Sequence, residues 1–371
     1  MSRVLYLGLM SGTSMDAIDC ALVEMREGQP CGIGQHASPM PDALKQQLQT
    51  LSSGAPVSLA QLGRIDIELG ALFADAALAL LTHYGLQASD IRAIGSHGQT
   101  VWHQPPGSGS SAFSLQLGDP NTIAQRTGIT TVADFRRRDM AAGGQGAPIV
   151  PVLHQRLFQR RGVDRIVLNL GGIANITVLP GDERAPLGFD TGPANGLMDA
   201  WIQQQQGRAY DADGRWAASA EPSPELLQLL LEEPYFTQPP PKSTGRELFN
   251  LSWLQQQLAR LPQALDAACV QATLLALTVE TVARAIEGQL ETGEVLVCGG
   301  GAHNSTLLQR LAQRLPRFSI GSTTAQGLHV DYVEATAFAW FAHCTLQREP
   351  VAFQPFTGAR QAVIAGGVYY A

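Results

Sequence analysis

Three glycine-bearing turns hold the residues of this chain whose types and spacing can do chemistry. The first is Gly12-Thr13-Ser14-Met15-Asp16, between the apolar runs Leu5–Ser11 and Ala17–Val23. It offers backbone N–H groups, hydroxyls and a carboxylate where an oligophosphate can approach the main chain, and Gly12 leaves room for that approach or for a positive φ. The second is Gly188-Phe189-Asp190-Thr191-Gly192, an acid between glycines at an expected strand end. The third is Gly299-Gly300-Gly301-Ala302-His303-Asn304, which follows the expected strand Glu294–Val297. Each alone is an ordinary turn. Placed early, mid-chain and late, they match a nucleotide gripped between two domains, the first hairpins on the β- and γ-phosphates and the last turn under the adenosine.

These turns need sheets to carry them. Arg165–Leu170, the turn Gly171-Gly172-Ile173-Ala174-Asn175 and Ile176–Leu179 repeat the opening hairpin in the second half, which predicts two similarly folded domains. Ile91–Ser96, Phe113–Leu117 and Thr130–Ala133 read as strands, and Ala43–Leu51, Leu59–Leu81, Leu197–Gln204 and Ala264–Ile286 as helices. Gly85 is the expected stop of the second helix. Val333–Leu346 is apolar all round and predicts a buried helix. The fold class expected is α/β, with antiparallel hairpins inside otherwise parallel sheets. The Gly/Ala-rich stretch 141–148 is the expected interdomain crossing; the domains are expected over 1–134 with 350–371, and over 135–349.

At 371 residues the chain has room for two domains. Its net charge of -7 argues against non-specific binding to nucleic acid or an anionic membrane. Five scattered cysteines without a Cys-x-x-Cys pair argue against a zinc site or disulfide framework and suit a reducing compartment. No apolar run is read as spanning a membrane, and the start lacks a signal-peptide plan, so a soluble cytoplasmic protein is expected. Of 25 basic residues only Lys45 and Lys242 are lysine.

The motif blocks Gly8–Asp16, Gly95–Thr100, Asp134–Asp139, Asn169–Asn175, Phe189–Asn195 and Cys298–Asn304 occur in an order that resembles, almost end to end, the anhydro-N-acetylmuramic acid kinases of the sugar kinase/Hsp70/actin superfamily. That resemblance implies two RNase-H-like, actin-like ATPase domains with an interdomain nucleotide cleft that closes over ATP. It implies an ATP-dependent reaction in which water opens the 1,6-anhydro bridge of 1,6-anhydro-N-acetylmuramic acid at C1 and O6 is phosphorylated. The product would be N-acetylmuramic acid 6-phosphate, in peptidoglycan recycling. Asp190 takes the role of the base for the water; an N-cap for the following helix is its structural alternative.

ATP is expected on Gly12, Thr13, Ser14, Met15, Asp16, Ala17, Ile18 and Asp19, and on Gly171, Gly172, Asn175, Gly299, Gly300, Gly301 and Asn304. Mg²⁺ is expected at Asp16 through water, with Asp19 as the other carboxylate available. The substrate contacts expected are His97, Gln99, Asp119, Arg137, Glu334 and Asp190 itself, with Arg136 and Arg138 also considered for the lactyl carboxylate. Lys242-Ser243-Thr244-Gly245-Arg246-Glu247 looks like part of a phosphate loop but lacks the upstream glycines and strand, so that reading is rejected. Its family position near the active site leaves a supporting role. The partner expected is a small-molecule anhydro amino sugar, with homodimer formation left open. An ordinary hexose or amino-sugar kinase, and a non-catalytic ATP-switched binding module, are the competing readings.

Overall fold

The computed structural model describes residues 3–12, 14–107 and 111–371, so Thr13 and part of the loop 105–111 lie outside the described residues. The chain divides into two compact units, 1–153 with 327–371, and 154–326. The first unit opens with an antiparallel meander of β1 (Leu5–Ser11), β2 (Ala17–Arg26) and β3 (Gln29–Pro39). β4 (Ile91–Gln104) then runs parallel to β1 and turns back through β5 (Phe113–Leu117), and β6 (Thr131–Ala133) lies parallel to β4. The second unit repeats the plan. β7 (Arg165–Leu170), β8 (Ile173–Leu179) and β9 (Leu187–Pro193) form the meander, β10 (Gly293–Cys298) lies parallel to β7, and β11 (Phe318–Ser322) parallel to β10. The chain then returns to the first unit, where β12 (Gly367–Tyr369) pairs antiparallel with β6.

Sheet orders are therefore β12-β6-β4-β1-β2-β3 and β11-β10-β7-β8-β9. Counting strands within each unit's core, both read third, second, first, fourth, fifth: the RNase-H-like order occurs twice, as the repeated hairpin predicts. Each sheet is packed against helices. In the first unit Asp42–Ser52 and Leu59–Tyr84 bury Leu44, Leu48, Leu69 and Phe73 against β1, β2 and β4. The longer helix starts where the Ser58 side chain accepts from Gln61 N–H and stops at Gly85, whose φ of 64° a β-carbon would strain. In the second unit the helix Ala267–Glu287 lies within the core. It is long and apolar enough to cross a membrane by length and composition, contrary to the sequence expectation, but 72% of its apolar window is buried inside the protein.

The unit boundaries differ from the expected ones at both ends. The stretch 141–148 belongs to the first unit, folded back over Asp139, which is fully buried and accepts from Gly146 N–H and Thr357 Oγ1. The helix Val333–Gln347, expected in the second domain, packs on β1, β2 and β4 of the first. Gly8 and Gly95 face each other in register and make that packing possible, since a β-carbon at either would overlap the carbonyl oxygen of Ala335 or Phe338. Among the described residues no cysteine is joined in a disulfide.

Candidate active site

In the second unit the glycine turns converge. The carbonyls of Gly171 and Gly172, between β7 and β8, accept from the N–H groups of Ala194, Asn195 and Gly196 at 3.0–3.1 Å. Asn195 Nδ2 donates to Leu170 O at 2.9 Å. Gly299 follows β10 with φ 79°, and a side chain there would overlap Asn169 Oδ1. A β-carbon on Gly301 would lie 2.5 Å from Leu170 Cβ. Gly171, Gly172 and Gly299–Gly301 thus share one end of the sheet, with Gly299 and Gly301 packed closely on Asn169 and Leu170 of β7. Asn304 does not join them as a free ligand, because its Oδ1 caps the helix Ser305–Arg314 through Leu307 N–H at 3.0 Å.

Asp190 sits within β9, in register with Asn175 across a bulge, rather than in a turn at the strand's end. It is no helix cap, which removes its structural alternative: the N-cap position of Asn195–Gln206 is Ala194. β9 is the sheet edge, and residues 235–244 cover it. Asp190 N–H donates to Lys242 O at 3.0 Å, Tyr235 Oη donates to Asp190 O at 2.7 Å, and Thr244 N–H donates to Asp190 Oδ2 at 3.0 Å. No hydrogen bond to Oδ1 exists among the described residues. Burial pushes the carboxyl up to about 6, against the pull of the Thr244 N–H and with a push from the Glu247 carboxylate. A carboxylate tuned close to neutrality, with one oxygen held and one open, is suited to take a proton from water. Sequence reasoning did not join Tyr235, Lys242 and Thr244 to Asp190, because 45 to 54 residues separate them and no short-range pattern marks an edge-covering segment.

The first unit gathers a second polar cluster beside the Gly12 turn. Buried His97 donates from Nδ1 to Gly98 O at 2.9 Å and accepts at Nε2 from Arg136 Nε at 2.8 Å, which fixes the neutral tautomer. Burial and the adjacent guanidinium push its pKa down to about 3. Arg136 also donates to Gly146 O and feels the charge of Glu334, near the start of the helix Val333–Gln347. Glu334 in turn joins Asp331 in raising Asp19, whose carboxyl burial already lifts, to about 7. Gln99 Oε1, Ser11 Oγ and Ser96 Oγ are buried without a partner among the described residues. Ser11 pairs in register with Gln99, and Leu9 with Ser96, so these atoms cluster at the β1–β4 end. Orphaned buried polar atoms at one place are what a polar ligand site leaves when protein atoms alone are counted.

Several expected contacts are placed elsewhere. Arg137 is exposed and bridges Asp134 at 3.1 Å; Arg136 is the arginine that turns inward. Asp119 is engaged in capping, accepting from Asn121 and Thr122. Asp16 is exposed and ion-paired with Lys45, while Met15 and Ile18 face the core. The positive φ of the first turn falls at Met15 (54°), and the β-carbon position of Gly12 faces open space. Ser14 is half-buried beside it, and Ala17 begins β2. Among the described residues no group of three His, Cys, Asp or Glu stands ready to hold a metal.

Twofold use of one sheet plan, with glycine turns at the sheet ends and a carboxylate of raised pKa within an edge strand, defines an actin-like ATPase fold of the sugar-kinase kind. The model of the anhydro-N-acetylmuramic acid kinase family matches residues 4–371. The anhydro-N-acetylmuramic acid kinase of Photobacterium profundum is 49% identical over 372 residues, covering 98% of each chain. Its counterpart in Shewanella oneidensis is 48% identical across the whole of both chains. The relative from Coxiella burnetii is 47% identical over 100% of this chain and 98% of its own. The chain belongs to the anhydro-N-acetylmuramic acid kinase family, and it is a kinase.

Proposed function

We infer that the protein uses ATP and water to convert 1,6-anhydro-N-acetylmuramic acid into N-acetylmuramic acid 6-phosphate and ADP, in the recycling of cell-wall sugars. Family membership supports the reaction, and the observation that carries it to residues is the half-held carboxylate of Asp190. Water, its proton passing to Asp190 Oδ1, bonds to C1 as the C1–O6 bond breaks. O6 keeps the electron pair and bonds to the γ-phosphorus, and the β–γ bridging oxygen leaves with ADP. An edge-strand carboxylate near neutrality is ionised at pH 7 yet basic enough to help the water.

The open space at Gly12, with Ser14 beside it, and the clustering of Gly171, Gly172 and Gly299–Gly301 at one sheet end support phosphate and nucleotide contact; Thr13 belongs to the same reading. His97, Gln99, Glu334 and Arg136, in place of Arg137, are the residues suited to the sugar and its lactyl carboxylate. For Mg²⁺, whose role is to neutralise phosphate charge, Asp19 fits better than Asp16. Mg²⁺ needs only one or two carboxylates beside phosphate and water, and Asp19 lies among acids that a cation would relieve, whereas Asp16 already pairs with Lys45. ATP as phosphate donor argues for the cytoplasm as the place of reaction.

The deciding experiment is turnover of the anhydro sugar in ¹⁸O water, with product mass measured against unlabelled product held in the same water to correct for anomeric exchange. Label at C1 beyond that control, together with ADP release, is expected. Phosphorylation without label would sink the hydrolytic half and leave an ordinary amino-sugar kinase.

A further inference from the structure

We propose that Lys242 and Tyr235 are positioning residues that hold the Asp190 carboxylate in its working orientation through a closed ring of hydrogen bonds along the outer edge of β9. The inference rests on the reading of Asp190 as the base. The ring runs from Asp190 N–H to Lys242 O at 3.0 Å, from Lys242 Nζ to Tyr235 O at 2.9 Å, and from Tyr235 Oη back to Asp190 O at 2.7 Å. Lys242 Nζ also donates to Phe236 O at 3.2 Å and stands 4.6 Å from the centroid of the Tyr235 ring.

The two ends of this segment differ in how they are secured. Tyr235 is buried, edge-on to Phe249, which packs edge-on against Trp253; Phe236 stacks on Phe249. Lys242 follows the run Pro239-Pro240-Pro241, which has no backbone N–H to give. Tyr235 O also accepts from Gln238 N–H at 3.2 Å; Lys242 Nζ adds a second donor there and one to Phe236 O, and the ammonium so ties the far end of the segment to the anchored one. Two residues beyond Lys242, Thr244 N–H reaches Asp190 Oδ2. The position of that donor depends on the tether, and so does the orientation of Oδ1.

Residue type supports the same assignment. The chain has 23 arginines and only two lysines, and one of the two, Lys242, attaches to the Asp190 segment. A compact ammonium with three rotatable donors can satisfy two adjacent carbonyls and sit on a ring, which a rigid planar guanidinium fork does less well. Burial also lowers the pKa of Lys242, as expected for an ammonium drawn in to serve the protein's own carbonyls.

The test uses Lys242→Met and Tyr235→Phe in the full-length protein, with Asp190→Asn alongside. Loss of the tether frees Thr244 N–H from Oδ2, and loss of that hydrogen bond favours the protonated carboxyl. The acid limb of kcat is expected to move up by about one unit in Lys242→Met, so that kcat falls about tenfold below the limb while KM for the sugar changes less than twofold. Tyr235→Phe, which deletes one hydroxyl, is expected to shift the limb the same way by less, and keeps the test open if the methionine variant does not fold. Titration of the Asp190 carboxyl by ¹³C NMR in ligand-free protein, with the resonance identified by its absence in Asp190→Asn, should show the same displacement. A uniform loss at all pH values, or an unmoved carboxyl titration, would overturn the proposal. Activity retained by Asp190→Asn would instead defeat the base assignment, and the NMR titration would still judge the ring.

Discussion

Gly8 and Gly95 lie opposite each other on β1 and β4, and the backbone of the helix Val333–Gln347 rests directly on both. Neither has a positive φ; what they supply is the absence of a β-carbon. That contact brings Glu334 at the start of the helix near Arg136, on the same side as His97 and Asp19. Gly8→Ala or Gly95→Ala should destabilise the first unit by about 3 kcal/mol, the upper part of the range for overpacking, because the obstacle is main chain and cannot rotate away. Urea unfolding of the single variants checks this. A change below about 0.5 kcal/mol, the scatter of ordinary surface substitutions, would mean that the helix is free to shift.

Asp190→Asn should lower sugar-dependent ADP release by about 10²–10⁴-fold, the span typical of a lost general base. The same change should favour folding at pH 8. The folded pKa of Asp190, about 6, lies above its ordinary value of 3.8, so the folded state binds more protons than the unfolded one between those values. The stability of the natural protein therefore falls as pH rises through that window, and above it the charged form carries a penalty. The melting temperature of the asparagine variant relative to the natural protein should be higher at pH 8 than at pH 4. An equal difference at both would contradict the assigned burial effect.

His97 predicts the opposite slope. Its folded pKa, about 3, lies below the ordinary 6.5, so the unfolded state binds the extra proton, and the stability present above pH 6.5 is lost as pH falls toward 3. His103, held near 4, and His154, near 3, add to that loss. Replacing His97 by Gln should flatten the decline in denaturation midpoint between pH 6.5 and 4. An unchanged slope would mean that His97 is charged in the folded protein, which its bond from Arg136 Nε forbids.

Asp19→Asn should raise the Mg²⁺ concentration needed for half-maximal activity about tenfold or more, as expected for loss of one of only one or two carboxylates. Asp16→Asn should change it less than threefold, since Asp16 is exposed and pairs with Lys45. Mg²⁺ titrations at constant ATP measure both, and the reverse order would return the metal to Asp16.

The sequence by itself determined the repeated hairpin, the glycine turns and the buried helix after residue 332, while Asp190 is singled out as the base through the family resemblance. The hairpin, turns and helix follow from short-range chemistry: strand and helix periods, turn residues and motif spacing act over a few positions. It also predicted the duplicated fold, which the two sheets realise strand for strand. It misplaced the unit boundaries, because the helix Val333–Gln347 packs back on the first sheet through Gly8 and Gly95, more than 200 residues away. Only the tertiary structure decided which arginine turns inward, since Arg136 and Arg137 are neighbours and burial beside His97 separates them. It alone set Asp19 among acids and Asp16 beside a lysine. And it alone brought Tyr235, Lys242 and Thr244 to the open edge of β9, where unpaired backbone groups and a half-buried carboxylate needed partners that no local pattern could name.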